Sequence, residues 1–135
     1  MSPATANFNN RRTYSRLGTR LVATYAMLEK FDESIKAEPV SRESDLGIVL
    51  DLGGGGLRLM TERPVPLGTF MRIRLMLPTF PGGRSKLYGS VVALENGGAA
   101  RKSLARIAFC DILPETQDNI VQYIFNIKAR QYYQP

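Results

Sequence analysis

Asp45-Leu46-Gly47-Ile48-Val49-Leu50-Asp51-Leu52, Gly53-Gly54-Gly55-Gly56, Leu57-Arg58-Leu59-Met60-Thr61 is the stretch that decides the fold. The first eight residues read as a strand, and after four glycines the last five resume the pattern. Four consecutive glycines bury no side chain, so packing does not explain them. Glycine permits positive φ and lets another group come close to the backbone. A tight turn or bulge between two strands is the plain alternative, yet a turn does not need four. A phosphate-binding P-loop is excluded, because Leu57-Arg58-Leu59 follows where Lys and Ser or Thr would stand, and a strand follows where a helix is required.

Further strands flank this unit. Leu21 to Leu28, with Val22, Thr24 and Tyr25, suits a strand or a short helix and is assigned as strand from its neighbours. Glu29 to Ser44 is charged, broken by Pro39, and reads as a loop. Pro64 to Gly68 is a turn. Phe70 to Leu77 has the clearest period of two, with Met71, Ile73, Leu75 and Leu77 on one face and Arg72 and Arg74 on the other. Pro78 to Gly83 turns again. Leu87 to Leu94 is a strand ending at Asn96-Gly97-Gly98, a hairpin signal. Ser103 to Ile112 is the last strand, with Ala105, Ile107 and Phe109 facing one way.

Then the period changes. Pro114 suits the first position of a helix, with Glu115 and Asp118 near its positive end and Lys128 and Arg130 near its negative end. Ile120, Ile124 and Ile127 recur at helical spacing, flanked by Val121 and Phe125. Six short strands and a helix with an apolar face argue for a small barrel against which the helix packs. Phe70, Phe109 and Phe125 read as core.

The chain has 135 residues, which predicts one domain with a self-sufficient core: a flexible tail over 1–9 and the domain over 10–135. The net charge is +6, and four of the eighteen basic residues lie between Arg11 and Arg20. That focus favours a phosphate-bearing or acidic partner. Histidine is absent, which removes imidazole bases, serine triads and most zinc sites. The single cysteine, Cys110, excludes an internal disulfide, suits the cytoplasm, and reads as a buried small hydrophobe. No apolar run approaches membrane-spanning length, and no signal-peptide core is visible.

Two sets of polar residues carry chemistry. Arg11, Arg12 and Arg16 lie on one N-terminal arm. A guanidinium fork matches phosphate oxygens bidentately, addresses guanine O6 and N7, and stacks on a base. Taken alone, the arginines read as a solvated basic arm. Asp51 precedes the glycines and caps a turn in the plain reading. Its carboxylate also accepts from the N1–H and exocyclic amine of guanine, which an arginine cannot do. Arm, carboxylate and open backbone at Gly53, Gly54, Gly55 and Gly56 are complementary parts of one site.

With these residues the chain resembles a PilZ domain, the bacterial receptor module for cyclic di-GMP. The family pattern is Arg-x-x-x-Arg on an N-terminal arm, then Asp/Asn-x-Ser-x-x-Gly. Arg12-Thr13-Tyr14-Ser15-Arg16 matches the first. Asp51-Leu52-Gly53-Gly54-Gly55-Gly56 matches the second, except that Gly53 replaces serine. The likeness continues through Gly56-Leu57-Arg58-Leu59, Pro66-Leu67-Gly68-Thr69 and Arg106-Ile107-Ala108-Phe109-Cys110-Asp111-Ile112, and covers roughly residues 8 to 133.

The resemblance implies a mainly β fold: a six-stranded antiparallel β-barrel with a C-terminal α-helix. It implies that Arg12 and Arg16 clamp phosphates and guanines with Arg11 assisting, that Asp51 holds a guanine, and that Gly56 leaves room for the ligand. It further implies a stand-alone, non-enzymatic receptor whose ligand is cyclic di-GMP, with no cofactor and no metal. Ligand binding would order the arm and pass a message to an unidentified downstream protein. One alternative is a degenerate pilus- or motility-related adaptor that binds only protein. A basic barrel for single-stranded nucleic acid ranks lower, because it would need stacking aromatics on exposed strand faces. Membrane insertion is not expected.

Overall fold

In the computed structural model, residues 15–28, 45–95 and 102–133 are described. The tail, Arg11 and Arg12, the 29–44 connection and the Asn96-Gly97-Gly98 turn lie outside them. Six strands are present: β1 (Leu17–Leu28), β2 (Asp45–Leu52), β3 (Gly56–Thr61), β4 (Phe70–Met76), β5 (Arg84–Leu94) and β6 (Ser103–Phe109). One helix, α1 (Pro114–Tyr133), follows. The strands pair antiparallel in the order β1-β2-β3-β6-β5-β4, and β4 pairs with β1 to close the barrel. The expected six-stranded antiparallel barrel with a C-terminal helix is therefore present.

Alternation builds the core. Met71, Ile73 and Leu75 of β4 point inward and are fully buried, while Arg72 and Arg74 point out. They meet Val49, Leu57, Leu59, Leu87, Ala105 and Ile107 from the other strands. Helix α1 adds Ile120 and Ile124 to this core, with Tyr123 and Ile127 packed at its margin.

Antiparallel order decides where the connections gather. Strands β2, β4 and β6 run the same way, so they end at one end of the barrel, where β1 begins. The chain entering at Ser15, the β2–β3 turn, the β4–β5 turn and the start of α1 therefore share that end. Two hydrogen bonds fix the helix there: Gln117 Nε2–H donates to the Gly54 carbonyl at 2.8 Å, and the Thr79 hydroxyl donates to the Asn119 carbonyl at 2.6 Å.

Several boundaries differ from the sequence expectation. Strand β1 starts at Leu17 rather than Leu21, and β5 at Arg84 rather than Leu87, because neighbouring strands reach far enough to pair with these ends: Leu17 faces Leu52 and Arg84 faces Met76. Strand β6 stops at Phe109 rather than Ile112, since Asp111 takes φ 52°, which no strand accommodates. Cys110, just past that end, is half-buried rather than buried. Phe125 is not core: α1 buries only the Ile120–Ile124 face, and Phe125 lies 66% exposed. Phe70 is half-buried beside Arg72 on the outer wall, and half-buried Phe109 packs against the core.

Within the glycine turn, Gly56 is required by backbone packing, contrary to the sequence expectation. Gly56 pairs with Ala108, and a side chain there would overlap the carbonyl oxygen of Ile107. Gly55, one residue earlier, faces open space. Gly56→Ala should therefore lower stability by about 1–3 kcal/mol or more, since the β3–β6 pair must part. Gly55→Ala should change it by under about 0.5 kcal/mol. Urea melts of the two variants check this, and equal midpoints would refute it.

Tyr25 is also buried, and its hydroxyl, close to the Arg63 and Glu62 backbone and the Thr61 side chain, makes no well-formed hydrogen bond among the described residues. Burial pushes its pKa above 10.0, Asp45 adds to the rise, and the backbone of Arg63 and Glu62 opposes it. The folded state thus holds the phenol proton at pH values where the unfolded chain releases it. The resulting stabilisation is complete below the unfolded pKa and is lost as pH rises from about 10 through the folded pKa. Melting temperatures should fall above pH 10 in the parent and fall less steeply in Tyr25→Phe, which removes the hydroxyl.

Candidate functional site

Arg16 and Asp51 meet at the barrel end where β1 begins and β2 ends. Leu17 pairs with Leu52 and Gly18 with Asp51, so register brings the foot of the arm beside the last turn of β2. Across 35 residues of sequence, Arg16 Nε–H donates to Asp51 Oδ2 at 3.0 Å. The arginine side chain is 42% exposed and the aspartate 17%. Asp51 Oδ1 is buried and has no hydrogen-bond partner among the described residues. An ionised carboxylate oxygen left this way costs about 1–3 kcal/mol or more, and a donor brought to it recovers that cost.

The glycine turn frames the pair. Gly53 N–H donates to the Gly56 carbonyl at 2.9 Å, which closes the turn between β2 and β3. The Gly54 carbonyl is taken by Gln117 and the Gly55 carbonyl by the Phe109 N–H at 3.0 Å. Gly53, Gly54 and Gly56 are buried and Gly55 is exposed. A β-carbon on Gly53 would stand 3.5 Å from Arg16 Cγ and 3.6 Å from both Arg16 Nη1 and the Ser15 carbonyl oxygen, which is ordinary contact. Gly53 also avoids the left-handed region, so a side chain is admissible there. Of the eight expected site residues, six are brought together at this end; Arg11 and Arg12 lie outside the described residues.

Sequence alone missed the charges beside Asp51. Arg58 on β3 is opposite Asp51 in register, with Nη1 4.0 Å from Asp51 Oδ2. Its Nε is 3.3 Å from Glu95 Oε1, close enough for an ion pair, but the N–H is misaligned and remains unsatisfied while buried. Arg106 Nε–H donates to Glu95 Oε2 at 3.4 Å. Alternating charges thus run Arg16, Asp51, Arg58, Glu95, Arg106 across the outer wall. The period-two placement of Arg58 marks it as outward-facing, but its partners come from other strands and leave no local signal. Among the described residues, no three His, Cys, Asp or Glu side chains stand together as metal ligands, and no helix is long and apolar enough to cross a membrane.

Comparison with known proteins places this geometry. The model of the PilZ domain family matches residues 10–126. No curated protein matches the sequence significantly. Among solved structures, the inhibitor of motility MotI/DgrA of Bacillus subtilis superposes with a TM-score of 0.63 at 15% identity, over 90% of this chain and 53% of that one. This chain thus spans about half the length of MotI/DgrA. The PilZ domain of YcgR from Escherichia coli with c-di-GMP gives 0.58 at 14% identity, over 90% and 96% of the two chains. The PilZ domain of CeSA from a cellulose-synthesising bacterium gives 0.53 at 14%, over 84% and 98%. Identities this low show a shared fold, whereas the family match spans most of the sequence: this chain belongs to the PilZ domain family.

Proposed function

We propose that the chain is a cyclic di-GMP receptor whose ligand seats at the Arg16–Asp51 corner and whose message passes to a protein partner. The observation that carries this reading is the pairing itself. The last arginine of Arg12-x-x-x-Arg16 and the first residue of the Asp51–Gly56 turn stand 3.0 Å apart, beside a buried carboxylate oxygen that has no donor among the described residues. Guanine supplies two such donors on one edge, N1–H and the exocyclic amine. Arg16 uses Nε on Asp51, which leaves its terminal nitrogens to fork a phosphate. Arg12 joins it from the arm, with Arg11 assisting, and Gly53, Gly54 and Gly55 offer a turn without side chains against which a flat base can lie. Gly56 serves the barrel first, through its contact with Ile107. Family membership and a structural neighbour described with c-di-GMP support the same ligand. The role is binding, with no catalytic step.

The Arg16–Asp51 ion pair joins partly exposed groups, and such pairs contribute about 0.2–1 kcal/mol. A ligand that engages the terminal nitrogens of Arg16 and Oδ1 of Asp51 therefore has little stability to overcome at this pair. A charge-assisted hydrogen bond from Arg16 to phosphate contributes about 1.5–3 kcal/mol. Arg12→Ala, Arg16→Ala and Asp51→Ala should therefore each weaken cyclic di-GMP at least tenfold in titration calorimetry, with melting temperatures near the parent's. Parent-like affinity in all three would sink the site. Absence of binding by the parent itself would favour the adaptor that binds only protein.

Gly53→Ser tests the departure from the family pattern. The backbone accepts a side chain there, so the variant should fold like the parent. Its hydroxyl lies near Arg16 and can donate to the ligand, a gain of about 0.5–1.5 kcal/mol, or up to roughly tenfold tighter binding. Calorimetry beside thermal melts reads both quantities. Weaker binding with an unchanged melt would show that the ligand itself needs the space at Gly53.

A further inference from the structure

Away from the Arg16–Asp51 corner, the outer wall of the barrel breaks its own alternation. Outward positions should be polar, yet at one level they are apolar on adjacent strands. Val22 of β1 pairs with Ile48 of β2, Ile48 with Met60 of β3, and Met60 with Leu104 of β6. The β1–β4 register, Thr24 opposite Arg74, carries the row on to Met76, and Met76 pairs with Arg84 of β5. Val22 is 67% exposed and Met76 73%; Leu46, on the next outward step of β2, is 52% exposed.

Two open clefts lie along this row. One, of about 200 Å³, is walled by Val22, Leu46, Ile48 and Met60 together with the Thr61–Glu62 bend and Lys102. The other, of about 420 Å³, is walled by Arg74, Arg84, Ser85 and Lys86. Lys86 pairs with Arg74 across the β4–β5 ladder, so three cations cluster at the end of the apolar row. None of the three has an acidic partner among the described residues, in contrast to Arg16, Arg58, Arg63 and Arg106.

We propose that this row is a docking surface for a segment of a partner protein that carries apolar residues next to carboxylates. The apolar residues seat in the Val22–Met60 cleft, and the carboxylates meet Arg74, Arg84 and Lys86. From Arg84 to Met60 the row crosses five strands, about 19 Å at roughly 4.8 Å per strand, the length of about six extended residues. A bilayer plane touches a convex barrel on only two or three strands, whereas a peptide can follow the curve. The row holds no aromatic side chain on which a base would stack, so single-stranded nucleic acid fits it poorly. The surface stands whatever the Arg16–Asp51 corner binds.

Selection of random twelve-residue peptides displayed on phage against the full chain tests this, with affinities of the selected peptides read by fluorescence anisotropy. Selected peptides should combine apolar residues with Asp or Glu. Val22→Ser and Arg84→Glu should each weaken them at least tenfold while circular-dichroism melts stay unchanged, since both side chains are exposed. Val22→Thr, nearly isosteric, covers the case in which the serine variant does not fold. A peptide with Lys in place of its acids should bind Arg84→Glu more tightly than it binds the parent. Selected peptides without acids, or peptides that bind the variants like the parent, overturn the proposal. So does binding of oligothymidylate or phosphatidylglycerol vesicles that is lost in the two variants. A parent dimer that Val22→Ser converts to monomer in sedimentation also overturns it, since a second copy would then cover the row.

Discussion

Everything here depends on the pairing of β4 with β1. That ladder converts a six-stranded sheet with two open edges into a closed wall, so strand backbone donors and acceptors find partners on both sides. Closure imposes a strict inside and outside. Inward positions must be apolar and must fit, which is why Met71, Ile73 and Leu75 are completely buried and why Gly56 cannot carry a side chain against Ile107. Closure also settles where the chain changes direction. With β2, β4 and β6 parallel to one another, the chain entering at Ser15, two turns and the start of the helix meet at one end. The meeting of Arg16, Asp51 and the glycine turn, the candidate site, follows from that topology.

The energetics of that end favour exchange over rigidity. Exposed ion pairs contribute about 0–1 kcal/mol, so the sequence Arg16, Asp51, Arg58, Glu95, Arg106 adds little to stability. Its cost is visible instead: among the described residues, Asp51 Oδ1 and Arg58 Nε are buried without hydrogen bonds. Groups that are cheap to separate and costly to leave unpaired suit a visitor that brings its own donors and acceptors. The glycine turn is held differently, with its carbonyls bonded to Gln117 and Phe109. A firm turn beside displaceable charges preorganises the floor of a site while leaving its polar groups ready to change partners.

Much of the fold was legible because strand and helix periods are local properties. Phe70 to Leu77 shows its inward face in the sequence, and Pro114 marks where α1 starts. What sequence did not disclose depends on contacts between distant segments. The need for glycine at 56 arises from a carbonyl on β6, and the half-burial of Cys110 from the bend at Asp111. Phe125 was misplaced because five neighbouring apolar residues on α1 give too broad a face; only the barrel selects Ile120 and Ile124. In the candidate site, the meeting of Arg16, Asp51 and Gly53 to Gly56 at one end of the barrel agrees with what motif and spacing suggest. Arg58 and Glu95 could not be read that way, because cross-strand register alone brings them next to Asp51.

A closed barrel with a packed core is a poor conductor of shape change. Moving one strand would break two ladders and open a close-packed interior, which costs far more than one small ligand supplies. Under the proposed function, ligand binding therefore has to act on surfaces. The arm's foot at Ser15 and Arg16 is one such surface, and the outer wall is the other. Strand β3 touches both, because Arg58 beside Asp51 and Met60 on the apolar row are successive outward residues, about 7 Å apart. A ligand that takes up Asp51 would leave the Arg58 guanidinium less neutralised next to that row without moving the backbone. The rigid barrel then serves as a ruler that holds two surfaces at fixed separation, and the information lies in which charges face outward.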